Sequence, residues 1–483
     1  MGNTHDTAYQ EAVSMQNKAS APRKSVFVSA NAGSGKTRVL VDRVSRILRL
    51  GTAPDKILCL TYTKAAANEM QARLFETLGK WSVMDDADLS LTLDALEGAC
   101  ENRSPEDIGK ARELFARALE TPGGLKVQTI HAFCEKLLRQ FPLEAGISPG
   151  TESIDEVEAA ALYARVIETI ERQALADPAG AIANAMTVIA KTKSEALIEQ
   201  VLTSAMKGCY TIDRWAKTGL APLEQALNVD PDTNVEQIIE QSWKKVSLAK
   251  LKSAQADLQV SSKVTDIKLA ASIDDVLAAP DVPLAFARYK ALFLTKGDTP
   301  KKRMVTQEAG ALAKTYFGFG DDLPSAEALR LLQDVQNIRA VSVFQLTKSV
   351  LVLSRQAVKI YRDLKAKMNV IDFDDQIMKV RALLVMAEAR DWVRYKLDGG
   401  VDHILLDEAQ DTAAAPWDII KALSDEFFQP SPDRDPRIPR TLFAVGDEKQ
   451  SIYSFQGAEP ELFLTELQAL TERQTETPNV KMS

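Results

Sequence analysis

The chain has 483 residues, of which 45% are hydrophobic and 26% charged, the make-up of a globular protein with room for two to four domains. No apolar run is long enough to cross a bilayer, and the opening MGNTHDTAYQ lacks the pattern of a secretory signal; no membrane partner and a cytoplasmic location are the expectation. Scattered cysteines (Cys59, Cys100, Cys134, Cys209) and three histidines (His5, His131, His403) argue against a disulfide framework or a metal site built from them, and a net charge of −8 argues against whole-surface nucleic-acid binding while leaving room for a local groove.

In chain order, SVFVSA (25–30) has strand composition and is followed by an amphipathic helix, KTRVLVDRVSRILRL (36–50). There Val39, Leu40, Arg43, Val44, Ile47 and Leu48 form a stripe at helical spacing. KILCLTY (56–62) and LKVQT (125–129) are the next strands, separated by a small helical insertion over 79–121. From about Ser153 to Lys367 the sequence is mostly amphipathic helix, as in 155–176 and 349–368, with no convincing strand. HILLD (403–407) and TLFAVGD (441–447) are the fourth and last strands, with a Pro-rich surface loop over 427–440 between them and a polar tail over 474–483. Strands followed by helices imply an α/β fold with a parallel sheet. The predicted organisation is a core formed by 1–140 and 368–473, interrupted by a helical domain over 141–367.

The strongest local signal is ANAGSGKT, Ala30 to Thr37, between a predicted strand and a predicted helix. Gly33 and Gly35 let backbone N–H groups turn inward around phosphate oxygens, and the helix N-terminus adds partial positive charge. Ala30, Asn31, Ala32, Gly33, Ser34, Gly35, Lys36 and Thr37 are therefore the candidate ATP-binding loop, with Lys36 reaching the β- and γ-phosphates and Thr37 holding Mg²⁺. Ala30 stands where the general pattern has glycine. A second signal, LLDEAQD (405–411), closes the fourth strand. Asp407 is placed to hold Mg²⁺ and Glu408 to orient and deprotonate the attacking water. Taken alone, the pair reads as an acidic helix start; a phosphate loop upstream favours the catalytic reading.

DEAQD together with VGDEKQSIYSFQGAEP (445–460) resembles the superfamily 1 helicases of the UvrD/Rep/PcrA and RecB/AddA group. LTYTKAAANEM (60–70), TIHAFC (129–134) and IDFDDQI (371–377) resemble further motifs of that group in the same order. The resemblance implies a RecA-like core (subdomain 1A) with the helical stretch as subdomain 1B. It is nearest to the AddA-type subunit of bacterial helicase–nucleases, with a UvrD-like repair helicase as the alternative. It implies ATP and Mg²⁺ as cofactors, single- and double-stranded DNA as substrate, 3′→5′ translocation in break repair, and an AddB-type partner.

Carried over by position, Gln16 resembles the adenine-reading glutamine and Gln450 the γ-phosphate sensor, with Arg38 near the nucleotide. Tyr62, Tyr453 and Phe455 take aromatic positions that would stack on bases. Thr61, Thr63, Lys64 and His131 are the phosphate-contact candidates. Packing remains the alternative for Tyr62 and Phe455, and helix capping for His131. Gln456 stands where UvrD-like proteins have arginine and cannot supply that charge. Lys244, Lys245, Lys250 and Lys252, with KGDTPKKR (296–303), read as a solvated face rather than a DNA guide. No motif of a second RecA-like domain or of a nuclease follows Pro460. The expectation is therefore a front half that alone binds Mg·ATP weakly, hydrolyses it very slowly and does not unwind DNA. A module binding DNA or a partner without catalysis is the competing class.

Overall fold

The computed structural model describes residues 14–31, 35–98, 103–122, 124–192, 194, 196–319, 323–386, 392–393, 396–397, 400–428, 439–447, 465–466, 468 and 479–482. The chain divides into two compact units, one formed by 1–156 with 369–483 and the other by Val157–Met368.

The first unit is built on a parallel sheet. Its strands are β1 (Val26–Ala30), β2 (Ile57–Thr61), β3 (Lys126–Thr129), β6 (His403–Leu406), β7 (Thr441–Gly446) and β8 (Asn479–Met482), in the order β3-β2-β6-β7-β1-β8. The register pairs Ser29 with Gly446, Leu60 with Leu406, and Leu406 with Ala444. Side chains alternate between two apolar layers. Val26, Val28, Ile57, Cys59, Leu405, Phe443 and Val445 enter one core, and Phe27, Leu58, Leu60, Ile404, Leu406, Leu442 and Ala444 enter the other. Covering on both faces explains why these strands read as near-continuous apolar runs.

Helix α1 (14–19) precedes β1, and α2 (Lys36–Arg49) follows it. After β2 comes α3 (Lys64–Val83), then α4 (Asp86–Glu97) and α5 (Pro105–Glu120), and α6 (Ile130–Gln140) follows β3. Thr63, Asp85, Ser104 and Thr129 each accept a backbone N–H at the start of α3, α4, α5 and α6, so four helix starts are fixed by local chemistry. Arg49 and Arg103 converge on Glu97 and Asp107 and join α2 to the α4–α5 pair.

The second unit is helical among its described residues, with a 43-residue helix, Ala326–Met368, as its longest element. Its core gathers Leu251, Leu258, Ile273, Phe286, Phe293 and Phe317. Asp266 is buried there and accepts hydrogen bonds from Ser261 and Thr306. No helix among the described residues is long and apolar enough to cross a membrane.

Three local expectations change. At the boundary of the stretch expected to lack strands, β4 (Glu152–Ser153) pairs in parallel with β5 (Val370–Ile371); two residues are too few to leave a periodic pattern. Within the expected polar tail, β8 pairs with β1, because an open sheet edge accepts backbone from a polar sequence as readily as from an apolar one. At the start of the expected surface loop, Phe427 and Phe428 pack against the second core, while 429–438 lie outside the described residues.

Candidate functional site

All pairings in the large sheet are parallel, so the carboxyl ends of β1, β2, β3, β6 and β7 share one edge. That edge is where ligands gather in open α/β sheets. Asn31, Tyr62, His131, Asp407 and Asp447 all emerge there within two residues of a strand end.

Gly35 is the N-cap of α2, with φ of +87°, a left-handed conformation that an L side chain adopts only with strain. A methyl group there would also sit 3.2 Å from Gln16 Nε2, so the glycine lets α1 approach the start of α2. Lys36, the first residue of α2, is largely buried, and its Nζ donates to Glu408 Oε2 at 3.3 Å. The lysine and the glutamate lie 372 positions apart in the chain, and the sheet brings them together.

The turn after β6 is held in an unusual shape. Glu408 has φ of +50°, a left-handed backbone that for a non-glycine residue costs about 1–2 kcal/mol. Asp407 Oδ1 accepts the Glu408 N–H at 3.0 Å, and the Asp407 N–H donates to the Leu60 carbonyl. Burial, reinforced by the adjacent Glu408, pushes the Asp407 carboxyl up to about 6. Two neighbouring carboxylates thus lie near one lysine, an excess of negative charge, and the Asp407 carboxylate and Thr37 hydroxyl are oxygen donors of the kind that Mg²⁺ prefers.

Gln410 has no role in the sequence reading, yet it organises this turn. It is buried, its Nε2 donates to Glu408 Oε2 at 2.7 Å, and its Oε1 accepts the Asp447 N–H at 2.9 Å. One amide therefore ties the Glu408 carboxylate to the chain leaving β7. Gly446 makes room for it: a Cβ there would stand 2.6 Å from Gln410 Oε1 and 3.1 Å from its backbone nitrogen. A glycine closing an apolar strand was the only local hint.

The other candidates have mixed placements. Ala30 is buried at the end of β1, and Asn31 is exposed just beyond it. Thr37 is half-buried, and Arg38 is exposed and pairs with Asp42. Thr61 is buried and donates to the Thr63 carbonyl, while Thr63 caps α3. Both hydroxyls shape the loop at that corner. Tyr62 is half-buried and Lys64 exposed. The His131 ring packs on Phe373 with centroids 5.1 Å apart, and burial lowers its pKa. Lys244, Lys245, Lys250 and Lys252 are exposed in the helical unit. Ala32, Gly33, Ser34, Gln450, Tyr453, Phe455 and Gln456 lie outside the described residues.

Residues 12–279 and 304–470 match the family described as UvrD/REP helicase N-terminal domain. Curated relatives named as the A component of an ATP-dependent helicase/nuclease are similar over nearly the whole chain. The relative from Exiguobacterium sibiricum is 24% identical, covering 94% of this chain and 36% of its own length. That from Levilactobacillus brevis is 27% identical, covering 91% and 34%, and that from Lactobacillus acidophilus 26%, covering 91% and 36%. The chain spans about a third of the length of these relatives.

Proposed function

The chain belongs to the UvrD/REP helicase N-terminal domain family, and from that premise we propose that it is the ATP-binding half of an AddA-type DNA motor, with the sheet as a RecA-like subdomain 1A and the helical unit as subdomain 1B. The observation that carries this reading is the 3.3 Å contact between Lys36 and Glu408 at the carboxyl edge of the sheet, beside a desolvated Asp407.

In this reading Lys36 leaves Glu408 to bind phosphate oxygens, and its release frees the glutamate to accept a proton from the attacking water. Thr37 and Asp407 hold Mg²⁺, which when bound neutralises phosphate charge. Gln410 keeps Glu408 oriented while its own position follows the backbone after β7, where Gln450 is the proposed γ-phosphate sensor. Gln16 reads the base. Tyr62, Lys64 and His131, with Tyr453 and Phe455, form the proposed face for single-stranded DNA; the backbone around Thr61 and Thr63 supplies its turn. The relatives' name, that of one component of an ATP-dependent helicase/nuclease, supports a nucleic-acid substrate and assembly with a second component; that the substrate is DNA, the partner AddB-type and the setting break repair is part of the same proposal. Translocation 3′→5′ belongs to the same proposal.

Equilibrium titration of the chain with Mg·ATP tests it. The expected result is saturable, magnesium-dependent binding that Lys36→Ala weakens by about a hundredfold, the scale of a lost charge-assisted phosphate contact. Equal affinity in wild type and variant would refute the site, and unimpaired unwinding by Lys36→Ala in a protein of the relatives' full length would refute the motor.

A further inference from the structure

A buried arginine with no acidic partner is an expensive feature, because desolvating a guanidinium is unfavourable unless its donors are well used. Arg43 is such a residue. It is fully buried in α2, and among the described residues no carboxylate pairs with it. Its Nη1 donates to the carbonyls of Ala19 and Ala21 at 3.2 and 2.6 Å. Its Nη2 donates to the Lys24 carbonyl at 2.5 Å and to Thr441 Oγ1 at 3.0 Å, and its plane lies over the Phe443 ring. One turn on, Arg46 Nη1 donates to the Asn17 carbonyl at 2.9 Å and to Ser20 Oγ at 2.7 Å.

These contacts close the carboxyl end of α1. The last four carbonyls of a helix have no partner within it. Here the Gln16 carbonyl accepts from the Ser20 N–H, Asn17 from Arg46, Lys18 from the Ala21 N–H, and Ala19 from Arg43. Two cations at a helix C-terminus also oppose its partial negative charge. Both arginines belong to the helix whose first residue is Lys36, and Gln16 Nε2 lies beside Gly35 at that same start. An apolar residue at position 43 would suit the surrounding core better, but it would leave α1 untied.

We propose that Arg43 and Arg46 are positioning residues that fasten α1, and with it Gln16, to α2, so that the groups reading the base and the groups binding the phosphates are held at a fixed separation; this rests on the nucleotide reading above. Both arginines bond to the chain around α1 and the start of β7 rather than to the groups proposed to hold the nucleotide. Their effect falls on ligands that carry a base and spares ligands that carry only phosphates, a selectivity that a general loss of stability would not produce.

The test is equilibrium binding of Mg·ATP and of magnesium tripolyphosphate to the full 483-residue chain. Arg46→Ala is expected to weaken Mg·ATP about tenfold and to leave tripolyphosphate within about twofold. Arg46→Lys, which keeps the charge and one donor, recovers part of the loss. Gln16→Ala reproduces the selective weakening, and adding Arg46→Ala to it brings no further change. Arg43→Lys gives the same selectivity at the more buried position. Parallel weakening of both ligands, or no change in either, overturns the inference. A wild-type chain that binds neither ligand defeats the nucleotide reading itself, and the inference with it.

Discussion

The two edges of the central sheet handle buried polar groups in opposite ways. At the amino edge, Arg43, Thr441 and His403 form a chain of contacts that ties strands and helices together. Thr441 accepts from Arg43 and lies 2.8 Å from His403 Nδ1. At the carboxyl edge, Glu408 is held in a left-handed backbone, Asp407 is desolvated beside it, and a single lysine faces both. The amino edge uses polar groups to fix the fold, whereas the carboxyl edge stores unfavourable charge and backbone strain that a ligand can relieve. Removing a group from the first should lower stability, and removing one from the second should lower activity more than stability.

The largest expected break in that contrast is at Glu408. Glu408→Gln keeps the size and the hydrogen-bonding reach but cannot take a proton, so, on the proposed function, ATP hydrolysis by a protein of the relatives' full length should fall by about 10²–10⁴ while ATP binding persists. Single-turnover hydrolysis with parallel binding measurements checks it, and undiminished hydrolysis would remove Glu408 from the chemistry.

A smaller effect is expected at Gly446. Gly446→Ala pushes a methyl group into Gln410 and should lower stability by about 1–3 kcal/mol, the usual range for overpacking. It should also slow hydrolysis through the displaced Glu408. Adding Gln410→Ala removes the side-chain clash but not the 3.1 Å approach to the backbone, so the double variant should recover part of the stability and none of the rate. Purely additive losses, measured by urea unfolding, would show that the two residues do not act on each other.

A further contrast separates the edges by pH. Burial first, then Arg43 and Arg440, pull His403 down to about 3 from an ordinary 6.5. The neutral ring therefore contributes stability that is complete above about pH 6.5 and is lost as pH falls toward about 3, by up to about 1.4 kcal/mol per unit. Asp407 has the opposite sign: raised from 3.8 to about 6, it favours the fold below about pH 4, and that contribution is lost as pH rises through about 6. His403→Gln should flatten the acid limb of a stability–pH curve between about 6.5 and 4, while lowering stability at neutral pH only through the lost Thr441 contact. An unchanged acid slope would place the titrating group elsewhere.

Strands β1, β2, β6 and β7 were legible because each is an apolar run buried on both faces, and a run needs only its own residues to declare itself. The candidate nucleotide-binding segment, Ala30 to Thr37, and the acidic pair Asp407 and Glu408 stood out in the sequence for a similar reason: each signal is confined to seven or eight consecutive positions. Gln410 was in plain view inside DEAQD but gained its meaning from the Asp447 N–H on another strand. Arg43 left a clue, a charged residue on the core-facing stripe of an amphipathic helix, but its carbonyl partners lie before β1. Thr61 and Thr63 are phosphate-contact candidates in the sequence, and what the sequence did not show is that both hydroxyls also bond to the local backbone.

Local sequence thus determined the α/β class, the strand segments, the helix caps and the residue types available for nucleotide chemistry, since propensity, periodicity and capping act over a few residues. Tertiary structure alone decided which strand lies beside which, and so placed Lys36 against Glu408, Gln410 between two strand ends and Arg43 beneath α1. The physical reason is that strand order fixes the separation of groups remote in sequence, and both charge interactions and hydrogen bonds depend on that separation within about an ångström.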